Sequence, residues 1–65
     1  MIGRQDWHEM ARQVYELEKQ MQSIYEDLEK KVADPELKAI FARLGEDEQS
    51  HATAIKDAAE KVARA

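Results

Sequence analysis

Apolar side chains recur every three or four residues on both sides of a single break at Asp34 and Pro35, and this pattern constrains the fold most. Proline disfavours helical geometry in the residue before it but suits the first turn of a new helix. A connection of only two or three residues makes the two helices antiparallel. The sequence therefore predicts an all-α helical hairpin, a single domain of residues 1–65, with helix 1 at about 6–32 and helix 2 at about 35–63.

Both predicted helices carry start signals. Asp34 can cap helix 2 from outside, while Pro35 fits its first position and Glu36 lies favourably near the positive end of the helix dipole. Helix 1 is expected to begin at Asp6, because Asp6 and Glu9 have the spacing of a capping box.

The apolar residues of each helix form a continuous stripe. In helix 1 a seam with alternating spacings of three and four is flanked by a second row at seven-residue spacing, in which Glu18 is the one charge. The seam contains Trp7, Met10, Val14, Leu17, Met21, Ile24 and Leu28, and the second row contains Ala11, Glu18, Tyr25 and Val32. Helix 2 repeats the pattern with Leu37, Phe41, Leu44, Glu48, His51, Ile55, Ala58 and Val62. Glu48 and His51 thus occupy seam positions where Leu or Ile is expected.

Glu18, Glu48 and His51 are expected to lie at one height in the hairpin. At about 1.5 Å per residue, Glu18 lies roughly 24 Å before the turn, Glu48 roughly 21 Å after it and His51 roughly 25 Å after it. Glu48 and His51 project from the same face, so one helix can offer an oxygen and a nitrogen to one metal ion. The alternative, for each residue alone, is a Glu that extends towards solvent and a His that is hydrogen-bonded in the core.

Gly45 is the one glycine inside a predicted helix. Because glycine costs about 1 kcal/mol there relative to alanine, it indicates either close approach of a neighbouring helix or flexibility near the site.

The length of the chain favours assembly with a second copy. A chain of 65 residues buries only about 60% of its unfolded surface, and the absence of cysteine excludes disulfides and thiolate metal sites as stabilising devices. Two hairpins related by a two-fold axis would form a four-helix bundle and double each site residue. The result is one Glu from each of two helices and a Glu-x-x-His from each of the other two, which is the ligand set of the di-iron carboxylate bundles.

At these positions the chain resembles the rubrerythrin-like and encapsulated-ferritin-like branches of the ferritin-like superfamily. The resemblance rests on Glu18 followed seven residues later by Tyr25, on the turn sequence DPEL, and on the Glu-x-x-His spacing of Glu48 and His51. It implies that Glu18 is a terminal carboxylate ligand, that Glu48 bridges two metal ions and that His51 is the nitrogen ligand. Tyr25 resembles a tyrosine that often lies near such centres, and plain packing in the bundle is the alternative. The implied cofactor is a di-iron centre shared between two chains, although manganese and zinc accept similar ligands.

Two classes of function follow from these features. In the first, a homodimer, or a larger assembly of dimers, binds Fe(II) and oxidises it with dioxygen or peroxide, which is ferroxidase chemistry for iron detoxification or storage. In the second, the chain is a helical assembly module whose polar layer fixes the register of the helices, with metal binding incidental.

The composition narrows the partners and the location. The net charge is −4, with basic and acidic residues interspersed, which argues against nucleic acid as a partner. No apolar run approaches the ~20 residues of a membrane span, and the N-terminus lacks the apolar core of a signal peptide. The protein is therefore expected to be cytoplasmic, with a location inside a protein shell as the alternative that the encapsulated-ferritin resemblance implies.

Overall fold

The computed structural model describes residues 3–64, with the backbone alone at residue 4, and contains two α-helices joined by a short turn. Helix α1 spans Arg4–Lys31 and helix α2 spans Pro35–Arg64. The two helices pack against each other in a rod of 48 × 15 × 14 Å. The predicted all-α hairpin is therefore confirmed.

The start of α2 follows from the side chain of Asp34. Its Oδ1 accepts hydrogen bonds from the backbone N–H groups of Glu36 at 2.8 Å and Leu37 at 3.1 Å. These groups have no partner within the helix, so Asp34 caps α2 as the sequence predicts. The ammonium group of Lys38 also donates to the backbone oxygen of Glu29 at 2.7 Å, which ties the first turn of α2 to the end of α1.

The start of α1 differs from the expected one. The helix begins at Arg4, and Gly3 is its capping residue. Asp6 lies inside the first turn, where its Oδ2 accepts the backbone N–H of Gly3 at 3.3 Å. The expected capping box of Asp6 and Glu9 is therefore wrong, because Asp6 acts as the third helical residue and not as the cap.

The helices meet mainly through the second row of α1, and of its apolar seam only Met21 and Leu28 are partly buried. Ala11, Glu18 and Tyr25 of that row are partly buried. On α2, Gly45 and Ala52 are buried, and Ala52, at 0% exposure, is the one buried hydrophobic residue among the described residues. Small side chains on α2 thus allow close contact at mid-length, and the hairpin alone has very little core.

Most of the α1 seam lies on the outside of the hairpin and, with two residues near the start of α2, forms an exposed surface, called here the apolar face. Its large side chains are between 40% and 56% exposed: Trp7, Met10, Val14, Leu17 and Ile24 of α1, with Leu37 and Ile40 of α2. The accessible surface of the chain is 5123 Å², whereas a compact protein of this mass exposes about 4,250 Å². The hairpin therefore leaves its main apolar surface in water. Over the described residues, neither helix has a stretch long and apolar enough to cross a membrane.

Phe41, a seam residue of α2, is partly buried. Phe41 stacks on Tyr25 of α1, with ring centroids 6.5 Å apart and an interplanar angle of 20°. Ile40, which the pattern did not include, is exposed. One helical step turns the side chain by about 100°, so these adjacent residues point in different directions.

Candidate metal centre

Three side chains that can bind a metal come together at mid-length of the hairpin. One ligand atom from each of Glu18, Glu48 and His51 lies within 4.8 Å of the other two. Nδ1 of His51 lies 3.2 Å from Oε2 of Glu18, a hydrogen-bond distance across the two helices. The structure thus brings together the three residues that the rise per residue placed at one height.

The cluster extends from the contact between the helices out to the apolar face. The side chain of Glu18 is 20% exposed, because it belongs to the row of α1 that packs on α2. The side chain of His51 is 61% exposed, one turn along α2 from Glu48. The cluster therefore has its carboxylates near the cleft and its imidazole towards the exposed apolar residues.

The carboxyl group of Glu18 affects the pKa of Glu48. A hydrogen bond with Glu18 raises the pKa of Glu48, and desolvation and the negative charge of Glu18 act in the same direction. The imidazole of His51 has a smaller, opposite effect on this pKa. Two neighbouring carboxyl groups that favour retention of a proton can instead share a cation, which then replaces the proton.

The donor set fits a divalent transition metal. Two carboxylate oxygens and one imidazole nitrogen suit iron, manganese or zinc. Such ions take about four to six ligands, so the three side chains of one hairpin do not complete the coordination shell. The remaining ligands must come from water or from another chain.

Tyr25 lies in the packed interface between the helices. Besides its stacking on Phe41, its Cβ is the nearest neighbour of the position that a Cβ on Gly45 would take, at 3.8 Å. It follows Glu18 by seven residues, which is about 10.5 Å along the helix. The ring thus takes part in packing, and its role beside a metal centre stays a prediction.

A bridge on the other side of the hairpin was not found by sequence reasoning. Nζ of Lys19 donates to Oε1 of Gln22 at 2.8 Å and to Oε1 of Gln49, on the other helix, at 2.9 Å. A signal was present in the sequence, because Lys19 and Gln49 each directly follow a glutamate of the cluster. Residues next to two facing positions are themselves within reach of each other when one side chain is long.

Two grooves of the hairpin lie away from the cluster, near the open end. One groove has a volume of about 480 Å³ and another about 180 Å³, and both are lined by His8, Ala11, Ile55 and Ala59. Neither groove includes a residue of the metal cluster. The volume of the grooves and the chemistry of the side chains therefore indicate different candidate sites. We give priority to the cluster, because small alanine side chains explain the grooves without a ligand.

Comparison with known proteins gives one match. The sequence model of the rubrerythrin family matches residues 2–62, which is nearly the whole chain. No curated protein and no solved structure matches the chain significantly.

Proposed function

Because the chain belongs to the rubrerythrin family, we propose that two copies of it together bind a pair of iron ions and oxidise Fe(II). Family membership supports a ferritin-like di-iron protein, and the cluster of Glu18, Glu48 and His51 supplies ligands of the required type. Manganese and zinc remain alternative occupants of the same ligands.

The observation that carries this proposal is the position of the cluster on the exposed apolar face. His51 is largely exposed there, and Leu17, next to Glu18 in sequence, is 56% exposed. A continuous apolar surface of this kind is a typical interaction site. A second copy that covers it would also enclose the metal ligands and remove them from bulk water.

The length of the hairpin favours a symmetric pair. The cluster lies about 24 Å from the turn, and the rod is 48 Å long, so the cluster is at the middle. A two-fold axis through the middle places both clusters at the same height, whichever way the partner helices run. The pair then offers four carboxylates and two imidazoles, which can neutralise two divalent cations.

The residues of the chain would bind and orient the ions. The carboxylate ligands would favour the harder Fe(III) product, so that dioxygen with two electrons from two Fe(II) ions and two protons would give hydrogen peroxide, or hydrogen peroxide would likewise give two water molecules. Because Glu18 raises the pKa of Glu48, a metal ion would compete with protons for this carboxyl group. Enclosure by the apolar residues of both copies would keep the oxidised ions from uncontrolled reaction with solvent.

A second candidate is a helical assembly module that uses the same residues without a metal. The contact of His51 with Glu18 favours it, because this polar layer has a hydrogen bond of its own across the helices. Buried polar layers of this kind can fix the register and the number of helices in a bundle.

Replacement of Glu48 and His51 together by leucine distinguishes the two functions. If they bind metal, the wild-type melting temperature rises with a redox-inert divalent ion, and the variant stays dimeric, shows no such rise and does not oxidise Fe(II). If they only set register, the wild type shows no metal-dependent rise, and the variant changes its oligomeric state. Glu46→Leu, an exposed position on the same helix, is the matched control. A double variant that oxidised Fe(II) at the wild-type rate would refute the assigned site.

A further inference from the structure

A chain of hydrogen-bonded side chains joins α1 and α2 beside the metal cluster. The ammonium group of Lys19 lies between the amide oxygens of Gln22, at 2.8 Å, and Gln49, at 2.9 Å. The amide nitrogen of Gln22 donates to Oε1 of Glu26 at 3.1 Å, and that of Gln49 donates to Oγ1 of Thr53 at 3.4 Å. These outer contacts orient both amides with their oxygens towards Lys19. The contact of Lys19 with Gln49 is called here the lysine bridge.

The lysine bridge and the metal cluster lie at the same height on opposite sides of the helix contact. Lys19 follows Glu18 and Gln49 follows Glu48, so both pairs are separated by 30 residues in sequence. One residue turns the helix by about 100°, which carries Lys19 and Gln49 away from the apolar face. The metal cluster therefore closes one side of the cleft, and the lysine bridge closes the other.

The helices are in close contact at this height. Gly45 and Ala52, which are the buried residues of α2, lie about one turn before and after Gln49. Small residues permit the close approach but do not fix it, since they have no directional contacts. The lysine bridge has directional contacts on both helices and is therefore suited to fix the distance between α1 and α2.

We propose that Lys19 and Gln49 are positioning residues of the metal site. Their bridge fixes the separation of α1 and α2 at Glu18 and Glu48, and so the distance over which these carboxylates share one cation. The inference rests on the proposed function, since it concerns the same metal site. Neither residue touches the metal; both act through the helices that carry the ligands. Groups that hydrogen-bond metal ligands directly typically contribute about 10- to 100-fold to metal affinity, so the lower end of this range is expected for residues that act through the helices.

Because Lys19 is positively charged, its two possible roles predict opposite changes in metal affinity. A positive charge beside a cation site repels the cation, so removal of the charge alone should tighten metal binding. Removal of a positioning contact should weaken it. The two roles therefore predict opposite results for a variant that loses both the charge and the bridge.

The test measures Co(II) affinity and the visible absorption spectrum of the Co(II) complex, with the full-length, metal-free protein. Lys19→Met keeps the apolar stem and loses the bridge and the charge, while Gln49→Met loses the bridge and keeps the charge. Gln49→Met is expected to bind Co(II) about 10-fold more weakly, and Lys19→Met also more weakly but by less, because loss of its charge offsets part of the effect; both should show an altered spectrum. The double variant should be no weaker than either single variant, because both remove one shared contact. Lys30→Met, an exposed lysine of the same helix, should match the wild type.

A further substitution, Lys19→Arg, and a measurement of helicity distinguish loss of the bridge from loss of structure. Lys19→Arg retains a donor that can reach both amides, so it should restore most of the affinity, whereas a variant that had merely lost structure would show lower helicity. Tighter binding by Lys19→Met, with Gln49→Met unchanged, would show that Lys19 acts by charge alone and would overturn the inference. So would wild-type affinity and spectrum in both variants. Failure of the wild type itself to bind Co(II) would instead overturn the proposed function, and this inference with it.

Discussion

Replacement of Gly45 by alanine is expected to stabilise the protein. Gly45 is buried in the middle of α2, where it contacts α1. A Cβ at this position would lie 3.8 Å from Cβ of Tyr25 and 4.0 Å from the backbone oxygen of Gln22. These are ordinary van der Waals distances, so the methyl group fits without displacing the other helix.

The expected magnitude for Gly45→Ala has two parts. Glycine in a helix interior costs about 1 kcal/mol relative to alanine, and burial of one methyl group adds up to about 0.8 kcal/mol. The free energy of unfolding should therefore rise by about 1 to 2 kcal/mol per chain. Each kcal/mol corresponds to an increase in melting temperature of about 4 to 8 °C for a domain of this size.

The assay for Gly45→Ala is a pair of thermal and urea unfolding curves, compared with wild type at one protein concentration because assembly makes stability concentration-dependent. Ala39→Gly, at an exposed position of α2, measures the effect of helix propensity alone. It should lower the free energy of unfolding by about 1 kcal/mol. A lower melting temperature for Gly45→Ala would refute the reasoning, because it would mean that the helices approach more closely than these distances allow. Higher stability with weaker metal binding would support the rival account, in which Gly45 supplies flexibility near the site.

Three further predictions concern the turn, the pH dependence and the apolar face. Asp34→Ala should lower the free energy of unfolding by about 1 kcal/mol in urea denaturation, because two backbone N–H groups lose their cap. The pKa of Glu48 is raised in the folded protein, so its stabilising contribution to the metal-free protein is complete below the usual pKa of 4.5 and is lost as pH rises through the raised pKa. Glu48→Gln should remove this part of the pH dependence of the melting temperature, and an identical pH profile in both proteins would contradict it. Leu17→Asp, at the centre of the apolar face, should give monomers in sedimentation, whereas Gln20→Asp, also exposed, should leave the assembly unchanged.

Much of the fold follows from local rules that sequence reasoning can use. The turn at Pro35 and the cap at Asp34 depend on the stereochemistry of neighbouring residues, so they were predictable. The meeting of Glu18 with Glu48 and His51 follows from the constant rise of a helix on both sides of a short turn.

The roles of the two apolar rows could not be assigned from the sequence. A heptad pattern shows which residues avoid water but not whether the same chain or another chain covers them. The row with Glu18 and Tyr25 packs within the hairpin, and most of the α1 seam, including Leu17, stays exposed.

The lysine bridge and the start of α1 depend on side-chain reach, which spacing rules do not describe. Lys19 contacts Gln49 because a long side chain can extend across the cleft to an oriented amide. Asp6 bonds back to Gly3 from inside the helix, so the helix starts earlier than the acidic residue itself suggests. Both features could be recognised only from the three-dimensional structure.

Anaerobic titration with Fe(II), followed by air and an optical spectrum, tests the central claim most directly. Wild type is expected to saturate at about one iron per chain, or two per dimer, and to develop ferric absorption after air is admitted. Glu18→Ala and His51→Ala should remain helical and dimeric but should not show saturable binding or rapid oxidation. The account would be contradicted by a dimeric wild type that binds no Fe(II), or by variants that oxidise Fe(II) as fast as the wild type.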